Sequence, residues 1–275
     1  MRAVAVRNLS IARHEIEHAT LSAALVINPH SKSDRLLVAS ADGVSISTAV
    51  EELITAAESS LHRGVEVVDV VPLQGGDGHG LTGFYLVTGW IVGGYLVAAL
   101  LGISGGARPA TLRRAAIRLL GVVPYALLSG VGGAVIVGPV LDALTGHLVS
   151  LWWLGALLVF SAAAVTMAFQ TLFGVIGIGI TVLLFVVLGN PSAGGAYQAA
   201  LLPPFWRALS GALPNGAGVD AVRRIVYFGA QSLGGDLLVI ALYVVGGIFT
   251  LVGSRRHQSG DPSSTEWIVT PSQPS

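Results

Sequence analysis

The sequence contains no cysteine, so neither a disulfide nor a thiolate-held metal can form. Charge is nearly as scarce. Only 11% of the 275 residues are Asp, Glu, Lys or Arg, against roughly 25% in a soluble globular chain. Lys32 is the single lysine among fifteen basic residues, and this arginine-dominated, Ala- and Gly-rich composition suggests a GC-rich bacterial genome. Fifteen acidic residues balance the basic ones, and a net charge of zero gives no reason to expect a nucleic-acid partner. The catalytic and nucleotide motifs are missing too. No GxxxxGK[ST] phosphate loop occurs, since Lys32 sits in HSKSD without a glycine-rich approach. There is no HExxH metal spacing and no GxSxG nucleophile turn. His14 and His18 in RHEIEH stand one helical turn apart beside Glu15 and Glu17; a solvated helix face accounts for them more simply than a metal site. The expectation is a chain that is not an enzyme and has neither a cofactor nor a metal.

The few charges are also unevenly placed. Most precede Asp77, lie in short clusters, or follow Gly253. Between them run five stretches free of ionised side chains, at 81–103, 119–141, 148–169, 172–189 and 237–254. About twenty apolar residues cross the roughly 30 Å hydrocarbon layer of a bilayer. An arginine placed mid-span costs about 2.5–3.5 kcal/mol, against gains of about 0.3–0.6 kcal/mol for each Leu, Ile, Phe or Val. These windows therefore predict an all-α polytopic membrane protein with about five transmembrane helices and membrane lipid as its surroundings. The third and fourth spans are separated only by Gln170-Thr171, which predicts a tight helical hairpin there. Glycines in GWIVGG, GVGG, GVIGIG and VVGG predict close helix packing.

Residues 1–78 read differently. AALVIN and RLLVAS suggest two strands and VEVVDVV a third. Helical spacing of Val50, Leu53, Ile54 and Leu61 places a helix before the third strand. The order α-β-β-α-β predicts a small, partial α+β domain. Arginine placement sets the orientation. Arg108, Arg113, Arg114 and Arg118 lie between the first two spans, and Arg255 and Arg256 follow the last. The positive-inside rule puts both clusters in the cytoplasm and the α+β domain outside a multi-pass cell-membrane protein. Such an outer domain needs a preceding helix to cross the bilayer, so one upstream of Met1 is expected. The Ser- and Pro-rich residues 255–275 read as a disordered cytoplasmic tail.

Residues 190–229, NPSAGGAYQAALLPPFWRALSGALPNGAGVDAVRRIVYFG, carry too many Pro and Gly for a span and too many Leu and aromatics for a wet loop. Asn190-Pro191 should end the fourth span. Pro203 and Pro204 suit the start of a short helix carrying Phe205 and Trp206. The run from Pro214 through Gly216 and Gly218 should break that helix before VDAVRRIVYF, with Arg223 and Tyr227, restarts it. This predicts two amphipathic helices at the outer interface, either plugging the bundle or lining a path through it.

The ordered set Gly-Asn-Pro-Ser, Leu-Pro-Pro-Phe-Trp, Leu-Pro-Asn-Gly-Ala-Gly and Arg-x-x-x-Tyr-Phe in 183–229 resembles the last membrane portion of the YhgE/Pip-like membrane proteins. These are related to a domain of unknown function shared with yeast SNG1, and they resemble permease subunits of type-2 ABC exporters. A weaker likeness extends from about Ala23 to Gly253. The resemblance implies an export component moving a hydrophobic or envelope-related substrate by alternating access, alone or as a homodimer, with ATP hydrolysed by a separate subunit. It implies a family helix ahead of the outer domain, which this sequence lacks. It also makes 190–229 a candidate outer gate (Asn190, Pro191, Pro203, Pro204, Phe205, Trp206, Pro214, Gly216, Gly218, Arg223, Tyr227). Arg108, Arg113 and Arg114 become a candidate cytoplasmic coupling loop, although setting topology explains them as simply. No Asp, Glu or His falls mid-span, which argues against a proton-coupled transporter. The alternative function is a non-transporting membrane scaffold or surface receptor, of the secretion-apparatus or phage-adsorption kind.

Overall fold

The Val- and Leu-rich stretches on either side of NPHSKSD form β1 (Ala23–Val26) and β2 (Ser33–Val38), antiparallel with Ala23 opposite Val38. The computed structural model describes residues 8–105 and 112–258. From β2 the chain crosses through α2 (Val44–Ser60) to β3 (Gly64–Asp69), which lies parallel to β2 with Ser33 opposite Gly64. The sheet order is β1-β2-β3. α1 (Leu9–Glu17), capped by the Asn8 side chain, buries Ile16 with Leu37 and Ala39. The observed order is the α-β-β-α-β read from the sequence.

Two features of this subdomain were not anticipated. The apolar stripe of α2 is largely uncovered, with Leu53 63% and Leu61 65% exposed. The second feature is an ion pair where β2 and β3 begin. Arg63 grips Asp34 through both side-chain oxygens, with Nε to Oδ2 at 2.7 Å. Arg63 also donates to the Asn28 carbonyl at 2.9 Å and lies 3.5 Å from Glu58. Asn28 N–H donates to Asp34 Oδ1 at 2.8 Å. The Arg63 side-chain hydrogen bonds, followed by this backbone donor, hold the Asp34 carboxyl down at about 2.

Among the described residues past 81 the chain is mostly helical. Four helical stretches are long and apolar enough to cross a membrane: Thr82–Ser104, Arg113–Val140, Leu148–Phe173 and Gly234–Gly253. They belong to α3 (Thr82–Gly105), α4 (Leu112–Val135) with the wider π-helical turn Ile136–Val140, α5 (Leu148–Phe173) and α10 (Gly234–Gln258). α5 is the central helix, packed by α3, α4 and α10 and buried at most positions from Leu151 to Thr171. Small residues set the helix spacing. Trp90 of α3 lies in a slot where a Cβ at Gly155 would come 2.4 Å from its ring and one at Gly133 2.5 Å from its Nε1. Its indole N–H donates to the Ser129 carbonyl at 3.0 Å, leaving no polar atom of the ring unpaired.

The boundaries differ from the sequence reading in two places. The second long helix begins well before residue 119, so Arg113, Arg114 and Arg118 are helical residues and not part of a loop. The third does not turn at Gln170-Thr171. Both residues are buried within α5, where the Thr171 hydroxyl donates to the Met167 carbonyl at 2.8 Å and Gln170 Nε2 approaches the Ala99 carbonyl at 3.5 Å. Polar side chains that find partners inside the bundle need not mark a turn. The turn comes instead at Gly174, whose φ of 65° suits glycine.

The apolar run that follows is α6 (Ile176–Val182), a π-helical stretch Leu183–Leu188 and the short α7 (Gly189–Ser192). At about 1.5 Å per residue its length is about 25 Å, somewhat less than the four longer helices. It continues past Asn190-Pro191 to Ser192. Pro191 has no N–H to donate into the preceding turn, and the chain directly before it already has the wider i to i+5 pattern.

Candidate functional site

Residues 190–229 contain α8 (Pro204–Ala212) and α9 (Pro214–Tyr227), each beginning on a proline. The first position of a helix needs no N–H donor, so proline starts both without loss. The expected break at Pro-Asn-Gly-Ala-Gly is absent; those five residues form the first turns of α9 and all are buried. The reason is steric. A Cβ at Gly216 would meet the Ser210 carbonyl oxygen at 2.1 Å, and one at Gly218 would meet Val87 at 2.9 Å and Leu158 at 3.0 Å. The glycines let α9 come close to α8, α3 and α5, and that packing outweighs their poor helix propensity. α9 is therefore part of the core and does not lie as a surface helix. Ala217, Val219, Ala221, Val222, Ile225 and Val226 belong to the same buried cluster as Trp90 and Leu158.

Polar contacts at three places along α9 fix it. At its start Asn215, 1% exposed, donates Nδ2 to the Phe185 carbonyl at 3.0 Å and to Asn190 Oδ1 at 3.2 Å. Phe185 lies in the π-helical stretch, so Asn215 bonds a carbonyl where the regular ladder is disturbed. At the other end the Tyr227 hydroxyl donates to Asp77 Oδ2 at 2.7 Å and accepts from Gln74 N–H at 3.3 Å. Asp77 Oδ1 accepts from Thr82 N–H at 3.0 Å, at the start of α3. Burial, and then the Asp77 carboxylate, push the Tyr227 phenol well above its usual range, so it remains a donor throughout neutral pH. In between, Arg223 pairs with Asp220 and Arg224 with Asp236, both at 3.3 Å.

The connector from the sheet to α3 joins a third element. Gln74 Oε1 accepts from Thr145 N–H at 2.7 Å and from its hydroxyl at 3.0 Å. Residues 74–77 thus link the sheet subdomain, the α4–α5 connection and α9. Ahead of α8, Arg207 donates to the carbonyls of Ala200 and Leu202, both at 3.0 Å. The Ser45 hydroxyl of the sheet subdomain donates to the Ala196 carbonyl.

The residues picked from the sequence fall into separate groups. Asn190 bonds Asn215 in the first turn of α9, the turn that also holds Pro214 and Gly216, and Pro191 follows it in α7, which packs against α9; Gly218, one turn on, faces Val87 and Leu158. Arg223 and Tyr227 share the connector end of α9. Pro203, Pro204 and Phe205 are exposed on the α8 side, where the Phe205 and Trp206 rings meet edge to face at 5.3 Å. Arg113 and Arg114 open α4, about 35 Å along that helix from the turn that Gln74 touches. Arg108 lies outside the described residues. Sequence reasoning missed Gln74, Asp77, Thr145 and Asn215. Gln74 and Asp77 lie in QGGDGHG, whose glycines signal only a turn, and a lone Asn inside Pro-Asn-Gly carries no sign of burial.

Two clefts open on the bundle. One of about 330 Å³ lies between α5, the Leu183–Leu188 stretch and α10, lined by Phe169, Leu184, Tyr243 and Gly247. Another of about 510 Å³ lies between Pro139 and Ser150. Among the described residues no group of three His, Asp or Glu is placed to hold a metal. No protein-family model, curated protein or solved structure matches the chain.

Proposed function

We propose that the chain is the membrane component of an export system, comparable to the permease subunit of a type-2 ABC exporter and of the YhgE/Pip-like kind. The α+β subdomain faces outward, the Arg113–Arg118 end of α4 faces the cytoplasm, and an ATP-hydrolysing subunit, where one acts, is a separate chain. The bundle works alone or as a homodimer. Residues 190–229 form the outer gate, with α9 as its inner wall. The observation carrying this reading is that α9 is buried among the apolar helices while Tyr227 and Asp77 tie it to the connector of the sheet subdomain. Movement of the subdomain would thereby be transmitted to a helix inside the bundle. The apolar cleft beside α5 and α10 suits a hydrophobic substrate.

The test is deletion of the gene in its host, followed by efflux of hydrophobic dyes and co-purification of the tagged chain. Slower efflux restored by the wild-type chain, together with capture of an ATP-hydrolysing partner, is the expected result. Unchanged efflux with no such partner, and binding of a surface or secretion protein through the α+β subdomain, would assign the chain to the scaffold class instead.

A further inference from the structure

The cleft of about 330 Å³ beside α5 and α10 carries a polar group that packing alone does not account for. Phe169 of α5, Leu184 of the π-helical stretch and Leu242 of α10 form its walls, and Gly246 leaves it open on the α10 side. Among the described residues that line it none bears a charge, and only Tyr243 and Thr250 bear hydroxyls. Thr250 donates to the Gly246 carbonyl, one turn back, at 2.8 Å. The Tyr243 hydroxyl makes no hydrogen bond to any described residue, while its ring rests against Phe185 with centroids 6.5 Å apart. Depth makes this hydroxyl unusual. Tyr243 is the tenth of the twenty residues of Gly234–Gly253, about 15 Å from either end of that stretch. Tyrosines of membrane helices gather at the two interfaces, where water and headgroups pair their hydroxyls. In the middle of a roughly 30 Å hydrocarbon layer neither is at hand, and an unpaired hydroxyl there is costly. A donor thus stands on the wall of an apolar cleft, at lipid depth, without its acceptor.

We propose that the cleft binds a neutral, elongated lipophile whose one polar atom, a carbonyl or ether oxygen, accepts from Tyr243. Ligand sites between the helices of a bundle take this form, with apolar walls supplying contact area and a few polar groups fixing orientation. Neutrality follows from the absence of any counter-charge on the walls, since an ion at that depth needs one. Length follows from the helix: Thr250 lies two turns beyond Tyr243, about 10 Å along α10. The acceptor follows from proton counting. A ligand hydroxyl would bring a donor of its own, and whichever hydroxyl donated, one proton would stay unpaired; a carbonyl or ether oxygen leaves none. Under the export reading, on which this step rests, such a molecule is the cargo, but its binding is measured without transport.

The probe is 2-decanone, titrated into the full chain in phosphatidylcholine nanodiscs with empty discs as background. Its control is 2-methyldecane, which has a methyl group where the ketone has its oxygen. The ketone should bind saturably and about two- to tenfold more tightly than the alkane, the worth of one hydrogen bond. Carbon-13 labelling of the carbonyl isolates its infrared stretch, which should move to lower wavenumber in the bound ketone. Tyr243→Phe should abolish that shift and lower ketone affinity to that of the alkane, with alkane binding unchanged. Gly246→Leu, which fills open space in the cleft, should exclude both ligands and serves as the test should Tyr243→Phe fail to fold. Equal affinity for ketone and alkane, as a groove for any acyl chain would show, overturns the proposal. So does an unshifted carbonyl, or the absence of saturable binding. Binding as expected, in a host whose efflux is unchanged by the gene deletion, supports the site and removes only its role in export.

Discussion

The hydroxyl of Tyr227 donates a 2.7 Å hydrogen bond to the carboxylate of Asp77, 150 residues earlier in the chain. Asp77 is 5% exposed, and its other oxygen is held by the start of α3. Removing the phenol hydroxyl would leave a buried carboxylate oxygen without its donor while preserving the ring's packing. Tyr227→Phe should therefore lower the unfolding free energy in detergent by about 1.5–3 kcal/mol. Under the gate reading it should also slow efflux more than the stability loss alone accounts for. Denaturant titration and dye efflux measured side by side check both.

Asn215 should be intolerant of apolar replacement. Asn215→Ala frees the Phe185 carbonyl and the Asn190 side chain inside a closed core, a loss of about 1–3 kcal/mol. Asn215→Asp should be worse, because a carboxylate cannot donate to that carbonyl. Thermal unfolding of the two variants should rank them in that order below wild type.

Gly216→Ala places a methyl group against the Ser210 carbonyl, a contact the backbone cannot relieve by rotating a side chain. Overpacking of this kind costs about 1–3 kcal/mol. Gly211→Ala, one turn away with open space around its Cβ, should be neutral or slightly stabilising, since alanine is the better helix former. The contrast between two Gly→Ala changes in adjacent helices separates a steric role from a propensity effect, and thermal unfolding reads it directly.

Asp34 makes the α+β subdomain sensitive to acid. Its carboxyl is held at about 2 in the folded chain, chiefly by Arg63, against an ordinary value of about 4. A depressed folded-state pKa contributes stability that is fully present above the unfolded value and disappears as pH falls through the folded one. The stability difference between wild type and Asp34→Asn should accordingly be constant above about pH 5 and shrink progressively toward pH 2. A difference that grows on acidification would contradict the assignment. Near-UV or fluorescence unfolding curves across that range measure it.

Part of this architecture was legible in the residues. Long windows without charge and alternating Val-rich runs are one-dimensional signals; they predicted five spans, of which four are long apolar helices and the fourth in order, 172–189, is the shorter run Ile176–Ser192, and they predicted the α-β-β-α-β order. The departures occurred where local composition and tertiary partners disagreed. Gln170 and Thr171 look like a polar turn, but their polar atoms are met within the bundle. Pro-Asn-Gly-Ala-Gly looks like a breaker, yet Pro214 starts a helix and the glycines let it pack. Leu53 of α2 and Leu61 just after it, read from the sequence only as marking a helix, are exposed, since α2 buries just Ile46, Ser47 and Glu58. Contacts such as Asp34 with Arg63, Gln74 with Thr145 and Asp77 with Tyr227 join residues 29 to 150 positions apart. No local pattern encodes such pairs, and they are what define the candidate site.

The central claim is that lipid surrounds the helices from Thr82 to Gly253. Its most direct test is alkaline carbonate extraction of membranes from cells expressing the full chain. The chain should stay in the membrane pellet and be released only by detergent. Recovery from the aqueous supernatant as a folded, detergent-free monomer would contradict it.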